Sequence, residues 1–331
     1  MRFTIIIPVY NRPDEVRELM ESLKRQTVKP FELLIVEDGS KDKCDFLVDE
    51  YRQYFPIEYY YKENGGRSEA RNYGLARAKG EVFLFFDSDV ILPPNYFEVL
   101  TKALDASPAD CFGGPDAADA SFNTMQKAIS HSMTCFWTTG GIRGGKKQME
   151  TFCPRTFNMG MAKYVYEKVG GFEDMLGEDI DLSLRIRAAG YNTRLIREAF
   201  VYHKRRVSLK RFFLQVSNFG QARIWLHIKH PGSMKLVHMA PAALTIMLFV
   251  LLAASVVYPW LLALPAFYLL LLFCDSLCKN MSLKVASLSM VTGAIQVLGY
   301  GYGFLKAVWT KLILRQPLET KKKLTKMYNK G

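Results

Sequence analysis

Apolar residues follow two regimes along this chain. Before residue 203, short β-branched runs alternate with stretches whose apolar positions recur every three or four residues; beyond it, long stretches are apolar almost throughout. Phe3 to Val9 is a strand-like run, and Asp14 to Gln26 carries Val16, Leu19, Met20 and Leu23 on one helical face. Phe31 to Val36 is a second strand ending in Glu37-Asp38-Gly39-Ser40, and Val82 to Phe86 is a third ending in Asp87-Ser88-Asp89. Short buried strands alternating with amphipathic helices predict an α/β fold with a mostly parallel, Rossmann-like sheet. Such sheets bind ligands at the carboxyl ends of their strands, where these acidic clusters fall.

The second regime predicts helices of another kind. Leu236 to Cys274 holds 39 residues without Asp, Glu, Lys or Arg. That exceeds one membrane span and divides at Tyr258-Pro259-Trp260, because Pro259 blocks helix continuation and Tyr and Trp suit a membrane interface. A first helix from about Ala240 to Val257 would reach roughly 27 Å, enough for the hydrocarbon core. A second starts near Leu261 and contains Pro265. A third uncharged stretch, Val285 to Leu305, carries Gln296, Gly299, Gly301 and Gly303, and either spans or lies in the interface. The expected organisation is a folded α/β domain over 1–234 and membrane-anchoring helices with a basic tail over 235–331.

Charge sharpens this division. The net charge of +12 is not spread evenly: residues 1–202 carry 26 basic and 30 acidic side chains, whereas 203–238 carry eight basic and no acidic ones. Residues 306–331 add eight basic side chains against Glu319 alone. Positive blocks flanking apolar runs mark cytoplasmic membrane edges, and they lack the interleaved stacking groups of a nucleic-acid surface, so no nucleic-acid partner is expected. The six cysteines show no C-x-x-C spacing, which favours a reducing compartment over a disulfide framework or a zinc site. Met1 to Thr4 leads straight into a strand pattern, so no signal peptide is expected.

Chemistry concentrates in a few places. If Asp87 and Asp89 continue the strand, they face the same side, and two convergent carboxylates repel unless a cation lies between them. A hard divalent ion holding a diphosphate is the natural occupant, although an isolated D-x-D is as often a solvated turn. Asp38 stands after the second strand, where a carboxylate accepts hydrogen bonds from a base or ribose, or simply closes an Asx-turn. Asn64 to Asn72 is a glycine turn feeding a helix, and Arg67 there would contact a diphosphate or remain a surface arginine. Glu178, Asp179 and Asp181 open another helix, where acids favour the macrodipole and where one of them would also serve as a general base. His203 closes a strand-like segment and is a suitable partner for carboxylates around a divalent ion.

The order Ile7-Pro8-Val9-Tyr10-Asn11, Glu37-Asp38-Gly39-Ser40, Asn64 to Asn72, Asp87-Ser88-Asp89, Val169-Gly170-Gly171-Phe172 and Gly177-Glu178-Asp179 resembles the family-two glycosyltransferases of the GT-A fold over about residues 3–230. The resemblance implies an inverting transferase that uses a nucleotide-diphosphate sugar, usually a UDP-sugar, with Mg2+ or Mn2+. It implies that Pro8 and Tyr10 line the base pocket, that Asp38 with its neighbours Glu37 and Ser40 meets the uracil or ribose, and that Arg67 meets the donor. Asp87 and Asp89 would engage ribose and metal-diphosphate, Asp179 would be the base with Glu178 next in line, and His203 a third metal ligand. Glu37 departs from the aspartate usual at that position.

A cytosolic donor and a membrane anchor together imply a catalytic domain on the cytoplasmic side and a lipid-linked or saccharide acceptor. Processive relatives carry Gln-x-x-Arg-Trp near the membrane; here Gln221-Ala222-Arg223-Ile224-Trp225 displaces the arginine by one residue. A processive polysaccharide synthase and a catalytically inactive membrane scaffold are the alternatives. The segment from Phe112 to Lys147 is expected to be irregular, with a glycine-flanked basic loop at its end.

Overall fold

The computed structural model describes residues 2–117, 122–140, 152–203 and 208–319. These fall into two compact units, the first within Met1–Asp119 and Phe152–His203 and the second within Ala120–Thr151 and Lys204–Leu318.

In chain order the first unit begins β1 (Phe3–Val9), α1 (Pro13–Lys24), β2 (Phe31–Asp38), α2 (Phe46–Tyr51), β3 (Ile57–Lys62), α3 (Arg67–Leu75), β4 (Val82–Phe85), β5 (Val90–Ile91), α4 (Tyr96–Ala106), β6 (Cys111–Gly113) and β7 (Asp116–Ala117). The second unit contributes α5 (Thr124–Thr134) and α6 (Phe136–Thr139). The first then resumes with β8 (Met159–Ala162), α7 (Lys163–Val169), α8 (Glu178–Ala188), β9 (Thr193–Leu195) and β10 (Val201–His203).

The main sheet has the order β3-β2-β1-β4-β8-β6-β9. β1 lies at its centre and pairs in parallel with β2 (Ile5 opposite Leu33) and with β4 (Ile5 opposite Leu84). β8 is antiparallel to both β4 and β6. A strand covered on both faces must be apolar at successive positions, and Phe3, Ile5, Ile6, Ile7 and Val9 are all buried. Ile5 and Ile7 pack on α1 through Val16, Leu19 and Leu23, and with Phe97 and Leu100 of α4. Ile6 packs on the other side with Phe83, Phe85, Met161, Leu182 and Ile186. Each such side chain contributes about 1.5–3 kcal/mol by burial. Helix α1 starts where the sequence predicts, with Pro13 at its first position and Asp14 and Glu15 in its first turn. A second sheet, β5-β10-β7, brings β10 beside the turn that follows β4.

Two expectations change. Asp87 and Asp89 lie in the tight turn between β4 and β5, not on a strand, so the turn makes them converge. The stretch after Phe112 is more regular than expected: α5 begins with a capping box in which Asn123 accepts from Gln126 N, and Gln126 accepts from Asn123 N. Of the glycine-flanked loop, only Gly140 lies within the described residues.

The second unit continues with α9 (Leu209–Lys229), α10 (Leu236–Ala254), α11 (Ala263–Asn280) and α12 (Leu283–Ala307), the turn Pro259–Leu262 joining α10 to α11. Its helix α12 packs on α5, α9, α10 and α11. Glycines permit the closest approaches: a Cβ on Gly303 would stand 1.9 Å from the Ser217 carbonyl oxygen of α9, and one on Gly220 would stand 2.1 Å from that of Tyr300. Three helices, Leu236–Ala254, Pro259–Asn280 and Leu283–Ile313, are long and apolar enough to cross a membrane by length and composition.

Candidate active site

The carboxyl ends of β1, β2 and β4 carry the loops that build the site. After β1 the chain turns at Asn11, whose φ of +51° lies in the left-handed region that Asn tolerates better than most residues. Its side-chain oxygen accepts from Lys41 N at 2.7 Å, and its own amide donates to Ser40 Oγ at 2.8 Å, so the loops after β1 and β2 lock together. Tyr10 stands exposed at this edge and Pro8 is half-buried.

Glu37 is fully buried, and its carboxylate is used within the protein. It accepts from Ser40 Oγ, from Cys44 N at 3.0 Å and from Tyr59 OH at 3.2 Å. Burial pushes the Cys44 thiol and the Tyr59 phenol upward, so both stay protonated donors around this acid. Asp38 points instead to the glycine turn. It accepts from Gly65 N and Gly66 N at 2.8 Å each and lies 2.9 Å from Lys62 Nζ. Gly39 makes this approach feasible: its φ is +76°, and a Cβ there would stand 2.6 Å from Asn64 N.

The turn after β4 forms the centre. One ligand atom from each of Asp87, Asp89 and His203 lies within 4.8 Å of the others. Asp89 Oδ1 is 3.2 Å from His203 Nε2, and Phe157 stacks on the imidazole at 5.0 Å between ring centroids. β10 delivers His203 because it pairs with β5, His203 opposite Val90, one residue beyond Asp89. Two carboxylates and an imidazole form an oxygen-rich donor set that fits a hard or borderline divalent ion such as Mg2+ or Mn2+.

Arginines surround these acids. Arg71 is fully buried; its Nη2 donates to Asp87 at 2.7 Å and its Nη1 lies 3.3 Å from Glu178. Arg12 Nη1 lies 3.3 Å from Asp89 Oδ2, and Arg155 Nη1 lies 3.3 Å from Asp179 Oδ2. Arg67 is solvent-exposed, yet protein around its guanidinium desolvates it, and the carboxylates of Glu178, Asp87, Asp179 and Asp89 outweigh that loss and raise its pKa. Arg67 thus lies within electrostatic reach of all four acids while the residue keeps exposed surface. Gly177, with φ of +79°, is the N-cap of α8, whose first residues Glu178 and Asp179 meet Arg71 and Arg155. Glu178 is buried, while the side chain of Asp179 keeps 17% exposure.

The structure therefore brings Asp87, Asp89, His203, Arg67, Glu178 and Asp179 together. Asp38 stands at the neighbouring turn, and Glu37 and Ser40 stand behind it. Arg12, Arg71 and Arg155 are additions that the sequence reading did not single out. The available signal was a surplus of acids at the strand ends, which demands counter-charges without saying which arginines supply them.

Residues 4–169, half of the chain, match the model of Glycosyl transferase family 2, and the chain belongs to that family. An uncharacterised glycosyltransferase of Rickettsia typhi is 44% identical over 95 residues, which cover 29% of this chain and 29% of that protein. The minor teichoic acid biosynthesis protein GgaB of Bacillus subtilis is 38% identical over 107 residues, 31% of this chain and 12% of that protein. The chain thus matches well under two thirds of either relative's length. Among solved structures, the mannosyltransferase PcManGT from Pyrobaculum calidifontis, in complex with GDP-Man and Mn2+, superposes with a TM-score of 0.60 at 18% identity, covering 94% of this chain and 88% of that one. This likeness shows the GT-A fold.

Proposed function

We propose that this protein is an inverting, metal-dependent glycosyltransferase that moves a sugar from a nucleotide-diphosphate sugar to a lipid-linked or saccharide acceptor at a membrane, with residues 1–234 as its catalytic domain on the cytoplasmic side. The observation that carries this reading is the convergence of Asp87, Asp89 and His203 within 4.8 Å at the carboxyl edge of a GT-A sheet. Mg2+ or Mn2+ held by these three would neutralise charge developing on the departing diphosphate.

The chain's own residues do the rest. Tyr10 and Pro8 face the base, and Asp38 meets the base or ribose. A carboxylate offers about four lone-pair sites, and three of those on Asp38 are taken by Gly65 N, Gly66 N and Lys62. Glu37 and Ser40 hold that loop in register from behind. Arg67 reaches the diphosphate, and the nearby acids orient its fork. Asp179 removes the proton from the acceptor hydroxyl as that oxygen attacks the anomeric carbon from the face opposite the leaving group. Its Oδ1 accepts from Ile180 N at 2.9 Å, which fixes the carboxylate at the start of α8.

Gln221 and Trp225 are buried within the second unit, which argues against their serving a processive polymer channel. The solved mannosyltransferase carries a guanine nucleotide, so the donor base needs a direct test. Thermal shift of the purified full chain against UDP-, GDP- and dTDP-sugars with Mn2+ should single out one nucleotide, the uracil series being expected. No metal-dependent shift with any donor would overturn the proposal. Donor turnover with and without acceptor then separates a transferase from an inactive scaffold.

A further inference from the structure

The second unit contains one carboxylate in a long stretch of basic and apolar sequence. Asp275 is the sole Asp or Glu between residues 204 and 318, which carry thirteen Lys and Arg. Helix α11 aims it at a histidine on α5 and at the cysteine that caps that helix. Its Oδ2 lies 2.7 Å from His131 Nε2, 3.3 Å from Cys135 Sγ and 2.8 Å from Lys279 Nζ. His131 lies in the last turn of α5 and Cys135 is its C-cap, whose amide donates to the His131 carbonyl at 2.8 Å, so the two stand together at the end of the helix. Both are buried, while the Asp275 side chain keeps 23% exposure and opens the cluster to solvent.

We propose that His131, Cys135 and Asp275 form a second metal site, selective for Zn2+, that clips α5 to α11. The three donor atoms lie within 4.8 Å of one another, as do those of Asp87, Asp89 and His203. The donor sets differ in kind. One nitrogen, one sulfur and one oxygen are softer than two carboxylates with an imidazole, so this site takes Zn2+ where the other takes Mg2+ or Mn2+. Tetrahedral Zn2+ with bonds of about 2.0–2.3 Å sets its ligand atoms about 3.3–3.8 Å apart. The sulfur–oxygen pair already has such a spacing, and the imidazole–carboxylate pair must open by less than about 1 Å. Water fills the fourth position from the Asp275 side.

A metal-ligating cysteine is a thiolate, so binding one Zn2+ releases the Cys135 thiol proton to solvent. Lys279 is the resident counter-charge and must withdraw from Asp275; its side chain is 55% exposed, so water receives it.

Co2+ as a spectroscopic stand-in for Zn2+ tests the site in the detergent-solubilised full chain. Adding Co2+ alone should produce a thiolate-to-cobalt charge-transfer absorption, which an oxygen- and nitrogen-lined site at Asp89 cannot give. Excess Zn2+ should bleach it and Mg2+ should not. Cys135→Ser should remove the band, while Asp89→Ala should keep it. Lys279→Met removes the competing cation and should tighten Co2+ binding several-fold, a gain that misfolding cannot mimic. A folded chain with no thiolate band at saturating Co2+, a band that survives Cys135→Ser, or unchanged affinity in Lys279→Met would each overturn the proposal.

Discussion

Arg71 donates to Asp87 at 2.7 Å with one guanidinium nitrogen and reaches Glu178 at 3.3 Å with the other, and its side chain is wholly enclosed. It also packs over the Phe172 ring at 5.4 Å. One cation thus ties the turn after β4, the proposed metal and donor end, to the start of α8, the proposed base end. Removing it takes a close cationic partner from buried Glu178 and from Asp87, which costs about 3 kcal/mol, the lower end for a broken buried pair because Asp87 is partly exposed. Arg71→Met should therefore lower the unfolding midpoint and weaken Mn2+-dependent donor binding together. Arg71→Lys keeps the charge but cannot reach both acids at once, so it should recover stability more than donor affinity. Isothermal titration with donor, beside a thermal melt, reads both; equal recovery of the two would show that the bridge does not set the site's geometry.

Asp89 and Asp179 should separate by experiment. Asp89→Ala removes a carboxylate from the Asp87–Asp89–His203 cluster and is expected to abolish metal-dependent donor binding as well as transfer. Asp179→Asn should leave donor binding nearly intact while lowering turnover by on the order of 10²-fold or more, as loss of a general base does. Mn2+ titration followed by magnetic resonance and steady-state assays at saturating acceptor give the two readouts. Wild-type turnover in Asp179→Asn would move the base assignment to Glu178.

The parts of this fold that were legible were those with one strong period. β1 and α1 declare themselves because one needs apolar residues on both faces and the other on a single stripe. β3 escaped because its Ile57-Glu58-Tyr59-Tyr60-Tyr61-Lys62 alternates phenols with charges, and a phenol reads as either core or surface. β6 and β8 escaped because each has four residues or fewer and contains a glycine. The acids of the site were legible, since strand ends in parallel sheets attract ligands. Arg12, Arg71 and Arg155 were not, because an arginine's partner is a tertiary fact. The buried state of Glu37 was hidden for the same reason: its donors Cys44 and Tyr59 come from a later loop and a later strand.

The glycines of α12 offer a packing test. A methyl group on Gly303 would meet the Ser217 carbonyl at 1.9 Å, a backbone atom that cannot swing aside. Gly303→Ala should therefore push α9 from α12 and destabilise the second unit by about 1–3 kcal/mol, the usual cost of overpacking. Gly232→Ala is a contrasting control: its Cβ would meet nothing within 4 Å, but its φ of +86° adds backbone strain, of about 1–2 kcal/mol. Thermal melts should show both variants destabilised, and limited proteolysis should show that Gly303→Ala alone also increases cleavage within α9.

The three long apolar helices differ in how they would sit in a bilayer. α10 and the segment Pro259–Asn280 have mean hydropathy of 2.2 and 2.1 with 17% and 11% of their windows buried, so both present apolar surface on most sides. Leu283–Ile313 differs, with hydropathy of 1.2 and 44% buried. Much of that burial comes from α9, a helix with Lys210, Arg211, Arg223 and Lys229 and no acid, whose Ser217 and Gly220 touch the Gly303 and Tyr300 region of α12. A basic helix packed along the C-terminal half of α12 would be costly to draw into hydrocarbon. We therefore expect α10 and α11 to cross as a hairpin with its turn at Tyr258-Pro259-Trp260 outside, and α12 to stay at the cytoplasmic interface beside α9. The hairpin returns Lys279 and Lys284 to the side of the eight basic residues between Lys204 and Lys235, in keeping with the positive-inside bias. A third crossing would carry Lys321-Lys322-Lys323 outside, against that bias. Cysteine substitution at Lys330, labelled in intact cells by a membrane-impermeant thiol reagent, reads the outcome. The tail should react only after the cells are opened; labelling from outside would establish three crossings.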